Sequence, residues 1–257
     1  MRKLICGLVF VMAASAVNIA WAQTPGVVDP VRPVAVQTFL CTLNTGKTMA
    51  DVDAVNATWL AAVAEGPFNG LEVQLTPRYG KGPYDVIFFE YLALDQVAQY
   101  REWYDDNGED VNAAFQEAVS CQTQLNGSYL TYVSEAILQD DDQGFVSLNW
   151  CTIRDGVSAE ALAAERNAFA HRLNDANVRV AYSVMFPNFG VRTENRLGDF
   201  AQVMVYPDWT ALASAHQYWA TGGWRAQGEY QRKFAQCTGS NVYDAVILHR
   251  PHTPWFE

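Results

Sequence analysis

His216 and Trp219 stand three residues apart in Ala215-His-Gln-Tyr-Trp219, a spacing that puts an imidazole and an indole on one face of a helix. Imidazole titrates near neutrality, so His216 could act as a base or a ligand atom, and with Trp219 one turn on it would suit a flat aromatic molecule. Trp224 would lie near the same substrate, and Arg225 would contact an anion. The plainer alternative is a histidine packed at a helix–sheet boundary with one nitrogen hydrogen-bonded. Asp85 and Asp199 each precede an apolar run and could also be bases, although aspartate at a strand start more often serves a turn. His171 lies in a predicted helix, and the spacing of His249 and His252 makes only a weak metal suggestion. Asp140-Asp-Asp142 lacks the spaced oxygens and glycine of a calcium loop. Asn56-Ala-Thr58 and Asn126-Gly-Ser128 match the glycosylation sequon and are read as incidental. A nucleophile elbow, phosphate-cradling glycine loop, zinc helix motif and basic aromatic stripe are all missing from the sequence.

The segment 199–237 that carries His216 has an earlier counterpart at 85–121. Trp219 falls on Trp103 and Cys237 on Cys121, both 116 residues apart. Tyr100 takes the place of His216, which leaves one copy with an imidazole; Tyr100 and Trp103 are candidate ligand contacts in the other. The paired tryptophans also fit a packing role. A second gapless block, offset by 110, pairs Cys41-Thr42 with Cys151-Thr152, Trp59 with Phe169, and 76–80 with 186–190. The chain therefore reads as one unit present twice.

The elements that position these residues follow in the same order in each copy. In the first, strand 34–43, helix 49–64, strand 71–76, strand 86–93, helix 94–121 with a bend near Asn107-Gly108, and strand 128–138 are predicted from periodicity and turn residues. In the second, the elements are strand 145–153, helix 159–174, strands 178–185 and 200–206, helix 209–237 and strand 242–248. Strand, helix, strand, strand, helix, strand is the split βαβ or ferredoxin-like unit. The domain reading is a signal peptide over 1–22, an extended lead-in over 23–33, ferredoxin-like unit 1 over 34–138, an acidic linker over 139–144, ferredoxin-like unit 2 over 145–249 and a tail over 250–257.

Residues 1–22 combine a basic start at Arg2-Lys3, an apolar stretch and a small-x-small site at Ala20-Trp-Ala22, which implies periplasmic or secreted localisation. Removing them leaves 15 basic against 28 acidic residues, a formal −13 compared with −11 for the whole chain. That balance disfavours nucleic acid and anionic lipid as partners, and no membrane association is expected after cleavage. Cys41, Cys121, Cys151 and Cys237 remain, an even number suited to an oxidising compartment. Of the three possible pairings, the duplication selects Cys41–Cys121 and Cys151–Cys237, with each pair brought to one edge of its unit by the first strand and the second helix. Four buried thiols are the alternative; the cysteine spacing argues against a metal.

The stretch 207–219, PDWTALASAHQYW, a strand end followed by a helix with Ala-His after a spaced leucine, resembles the corresponding junction of the dimeric α+β barrel superfamily, including the antibiotic-biosynthesis mono-oxygenase and stress-responsive barrel families. The first copy, LDQVAQYREW over 94–103, is similar. The resemblance covers both repeats in arrangement and about a dozen residues in motif. It implies an α+β fold class, two tandem ferredoxin-like βαββαβ units forming an intrachain pseudo-dimeric α+β barrel, as monomer or homodimer. Because the superfamily includes both binders and enzymes, fold does not supply function. The primary expectation is an extracytoplasmic protein gripping a small apolar or aromatic molecule, consistent with 13% aromatic residues and no convincing acid–base pair. No cofactor is predicted on this reading. The alternative is an oxidoreductase of the mono-oxygenase or haem type in the second unit, with His216 as base or iron ligand; lacking a Cys-x-x-Cys-His motif, it would hold haem non-covalently.

Overall fold

The computed structural model describes residues 26–28, 33–80, 82–134, 142–190 and 197–252. The expected signal peptide, the first part of the acidic linker and the end of the tail lie outside these residues. The first half runs β1 (Gly26–Val27), β2 (Pro33–Leu43), α1 (Met49–Val63), β3 (Leu71–Tyr79), β4 (Val86–Leu92), α2 (Val97–Asn107), α3 (Glu109–Ala118) and β5 (Val119–Val133). The second runs β6 (Gln143–Ile153), α4 (Ala159–Asp175), β7 (Ala181–Phe189), β8 (Phe200–Tyr206), α5 (Trp209–Tyr218), a π-helical turn (Trp219–Gly223), α6 (Trp224–Lys233), β9 (Ala235–Cys237) and β10 (Asn241–His249).

All pairings are antiparallel. The four long strands of the first half lie in the order β5-β2-β4-β3, and those of the second in the order β10-β6-β8-β7. Pairing of β3 with β10 and of β5 with β7 joins the two sheets along both edges. The result is a closed eight-strand barrel within one chain, with no free edge among these strands.

Alternation along each strand sorts side chains between barrel interior and helix-covered exterior. Val36, Leu40, Leu75 and Phe89 from the first half pack with Leu148, Trp150, Met185 and Val203 from the second, so the interior is a shared apolar core. The outer faces pack separately beneath α1 and α3 in one half and α4, α5 and α6 in the other. Both faces of β4 are covered, which explains its nearly unbroken apolar sequence VIFFEYL. Helix starts follow local chemistry: the Asp51 carboxylate accepts from the Thr48 backbone N–H at 2.8 Å, the Ser158 hydroxyl from Ala161 N–H at 3.2 Å, and Asp208 from Ala211 N–H at 2.7 Å. These contacts satisfy donors that a helix start leaves open.

Several expected boundaries move. The helix predicted over 94–121 breaks at Gly108 and ends at Ala118, and β5 starts at once at Val119, well before residue 128. The helix predicted over 209–237 is interrupted by the π turn and ends at Lys233. Cys121 and Cys237 are therefore strand residues, because pairing to β2 and β6 claims their backbone hydrogen bonds. Gln143 and Gly144 of the acidic linker belong to β6, and Pro33 of the lead-in opens β2. Gly26 and Val27 pair with Val133 and Tyr132 of β5.

Disulfides join Cys41 to Cys121 and Cys151 to Cys237. Each pair is directly opposed in its ladder. Beside them, Asp85 Oδ2 accepts from Leu43 N–H at 2.9 Å and Asp199 Oδ2 from Ile153 N–H at 2.6 Å. The two aspartates thus clasp equivalent strand ends, which is the turn role.

Candidate ligand site

Helix α4 carries Leu162, Arg166, Phe169 and Leu173 at i, i+4, i+7 and i+11, one continuous face turned to the sheet. Three are core residues and one is a guanidinium. Opposite it, Tyr182, Val184 and Phe186 of β7 and Phe200 of β8 present the outer face of the sheet, and Tyr230 reaches in from α6. Between them lies a cavity of about 140 Å³. Arg166, Tyr182 and Tyr230 also line a smaller space of about 10 Å³, bounded further by Gln202, Gln227 and Arg172. The cleft therefore has an apolar lobe and a small polar lobe sharing one wall.

Burial pushes both phenols well above their ordinary value. For Tyr182 the Arg166 charge and Gln202 pull partly back, and Gln202 does the same for Tyr230. Both phenols are consequently neutral O–H donors through the physiological range. The Arg166 guanidinium lies 5.8 Å from the Tyr129 ring centre. It has no hydrogen bond or ion pair among the described residues, and its buried Nε is unpartnered. Neighbouring Glu165 is taken by Arg172, at 2.5 Å. Among the described residues no histidine, carboxylate or cysteine lines either lobe; the described walls can bind and orient a molecule.

The candidates read from sequence lie elsewhere. His216 is exposed on α5. Trp224 is 58% exposed, with the exposed Arg225 guanidinium 4.7 Å above its ring. Trp219 is half-buried and stacks on Phe169 at 5.9 Å, and Phe169 meets Tyr182 edge-on at 4.9 Å. Trp219 thus supports the cavity wall from one layer behind. Tyr100 is buried in the first half with Trp103 stacked on it at 6.3 Å. None of these six lines the cavity, and beyond the Trp224–Arg225 and Tyr100–Trp103 contacts they do not form one cluster. Arg166, Tyr182, Gln202 and Tyr230 were missed. The available signal was an arginine on the apolar stripe of α4, where solvent would otherwise be its place.

The first half carries a different set of buried polar groups between its helices and sheet. Asn56, 110 residues before Arg166, bonds Gln74. The Tyr100 hydroxyl donates to Glu90 Oε1 at 3.0 Å and accepts from Trp59 Nε1–H at 3.4 Å, while Arg101 pairs with the other Glu90 oxygen. Glu72, in register opposite both Glu90 and His249, is buried with Oε2 unpartnered. Burial and the adjacent Glu90 charge push its carboxyl well up, and burial also raises Glu90, opposed by Arg101 and Tyr100. His249 donates from Nδ1 to the Gly70 carbonyl at 2.8 Å. Among the described residues there is no group of three or more metal-ligating side chains, and no helix is long and apolar enough to cross a membrane.

No family model and no curated protein sequence matches the chain. Solved structures do match. A protein assigned by name as a chlorite dismutase superposes with TM-score 0.52 at 12% identity, covering 84% of this chain and 96% of the other. A mutant chlorite dismutase from Candidatus Nitrospira defluvii gives 0.51 at 9%, covering 84% and 92%. A heme-binding protein from Thermus thermophilus gives 0.50 at 9%, covering 86% and 95%. The fold is a ferredoxin-like α+β barrel. At these identities the likeness is one of fold alone. The expected closeness to mono-oxygenase and stress-responsive barrels finds no family-model match; the structures named here carry chlorite dismutase and haem-binding descriptions instead.

Proposed function

We propose that this protein is an extracytoplasmic binding protein made of two diverged copies of one ferredoxin-like unit, and that the second copy holds a small, largely apolar molecule in the cleft between α4, α6 and the β7–β8 face. The observation that carries the reading is the cavity of about 140 Å³ with apolar walls. A dry engineered cavity of about 150 Å³ accepts benzene, whereas drug-sized ligands occupy about 300–1,000 Å³. The ligand is therefore of single-ring or short-chain size. At the position matching Arg166 the first copy has Asn56, bonded to Gln74, which favours the second copy as the site.

The haem-related names among the structural neighbours raise haem as a cofactor, and the residues here do not fit it. A porphyrin is far larger than the cavity. No described histidine lines the cleft, and burial keeps the two phenols in the form that does not ligate iron. No step is derived through haem. That no described residue of the cavity walls is a histidine or carboxylate likewise supports binding over catalysis.

Titration calorimetry with toluene tests the reading. Saturable binding to the mature wild-type chain, weakened at least about tenfold by Ala163→Leu, which fills the cavity from α4, is the expected result. No binding, or binding indifferent to the filled cavity, would sink it.

A further inference from the structure

We infer that the cleft selects monoanions, its ligand being a single-ring or short-chain carboxylate whose anionic group pairs with Arg166 while its apolar body fills the larger lobe. This rests on the proposal that the cleft is a binding site.

The first support is the position of Arg166. It occupies the buried stripe of α4, between Leu162 and Phe169, and lines both lobes. A guanidinium carries five donors in a planar fork. Here Nε is buried without an acceptor, and the nearest sequence neighbour that could supply one, Glu165, bonds Arg172 instead. An unsatisfied buried donor on a charged group is costly. An acceptor delivered by a ligand removes that cost, and a carboxylate matches the fork in both charge and geometry.

The second support is the division of the space. The polar lobe, about 10 Å³, holds about one water-sized atom and cannot take a ring. The lobe beside it is apolar and ring-sized. Arg166, Tyr182 and Tyr230 stand on the shared wall, so a molecule with its ring in the large lobe directs one polar substituent at the guanidinium and the two hydroxyls. The phenols, held neutral by burial, donate to that substituent. An ammonium would meet the Arg166 charge with only neutral phenol and amide oxygens to accept from it.

Charge balance sets the valence. Around the polar lobe stand Arg166, Arg172 and the Glu165 paired with Arg172, which leaves one net positive charge. A monoanion neutralises it; a dianion would leave a buried negative charge. The surrounding protein, at a formal −11, offers no general attraction for anions, so selectivity must come from the lobe itself, where Arg172, its Nε also without a partner, is already paired with Glu165 and Arg166 is not. In the first half Asn56 stands 110 residues earlier and is tied to Gln74, which removes the cation.

The test is titration calorimetry of the mature chain at low salt with benzoate, toluene and benzylamine. Benzoate binding at least about tenfold tighter than toluene, with benzylamine silent, is expected for a charge-assisted pair. Arg166→Gln should bring the benzoate-to-toluene ratio to within about threefold, and Arg166→Lys, which keeps charge without the fork, should fall between. The wild-type ratio alone decides the matter should a variant misfold: equal binding of benzoate and toluene overturns anion selection while leaving the cleft as an apolar site. Binding of neither overturns the cleft reading itself. A ratio unchanged by Arg166→Gln removes Arg166 as the anchor.

Discussion

Glu72 stands directly opposite Glu90 in the β3–β4 ladder, and both side chains are buried, at 5% and 4% exposure. They differ in what meets them. Glu90 is held by the Tyr100 hydroxyl and Arg101, while Glu72 Oε2 has no partner. With its carboxyl raised above the ordinary glutamate value of 4.5, protonated Glu72 stabilises the fold fully below that value. The contribution is lost as pH rises through the raised folded value, where a buried carboxylate must form. Glu72→Gln is therefore expected to raise the melting temperature at pH 8 by about 2–4 °C, on the order of 1 kcal/mol, with a smaller gain at pH 5. Glu90→Gln should destabilise the fold at pH 8, by about 3 kcal/mol, and so lower the melting temperature, since it strips Arg101 of its partner. Melting curves of both variants at the two pH values check the sign, and a larger Glu72→Gln gain at pH 5 would contradict it.

Each disulfide closes a long loop, of 80 residues between Cys41 and Cys121 and 86 between Cys151 and Cys237. By the chain-entropy argument each is worth about 4 kcal/mol. Replacing either pair with serine should lower the denaturant midpoint accordingly without abolishing the other bond. Peptide mapping under non-reducing conditions should recover the two intra-half pairs, and a Cys41–Cys151 peptide would contradict the ladder register.

His216 is exposed and away from the cleft, so haemin added to the protein should produce no saturable Soret band that depends on it. His216→Ala is expected to leave the absorption spectrum and toluene binding unchanged within error. A saturable band lost in that variant would restore the histidine as an iron ligand and reverse the fit argument.

The π turn between α5 and α6 holds Gly222 at φ 152°, a conformation that side-chain-bearing residues rarely adopt. It sets the direction of Trp219, whose ring backs Phe169. Gly222→Ala should cost about 1–2 kcal/mol by backbone strain and weaken toluene binding by loosening the wall behind Tyr182. Chemical denaturation and calorimetry on the same variant separate the two effects, and unchanged stability would show that the turn relaxes freely.

The strand and helix order was legible in the sequence because each element advertises its period: DVIFFEYL and DFAQVMVY can hardly be other than buried strands, and Leu162, Phe169 and Leu173 mark one helical face. The cysteine pairing was legible because spacing repeats along the chain. Helix ends near Cys121 and Cys237 were not, since helix-compatible residues there are claimed by strands β2 and β6 through hydrogen bonds to partners some 80 residues away. The exposure of His216 was not legible for a related reason. A His–Trp pair at helical spacing says that two side chains share a face, not whether that face meets the sheet or solvent, and on α5 the imidazole meets solvent. Sequence by itself determined the element types, their repetition and the cysteines available to join; the closing of two sheets into one barrel, the burial of Glu72 and Glu90 and the meeting of Arg166 with Tyr182 and Tyr230 were decided only by tertiary packing, because each depends on which faces of distant elements come together.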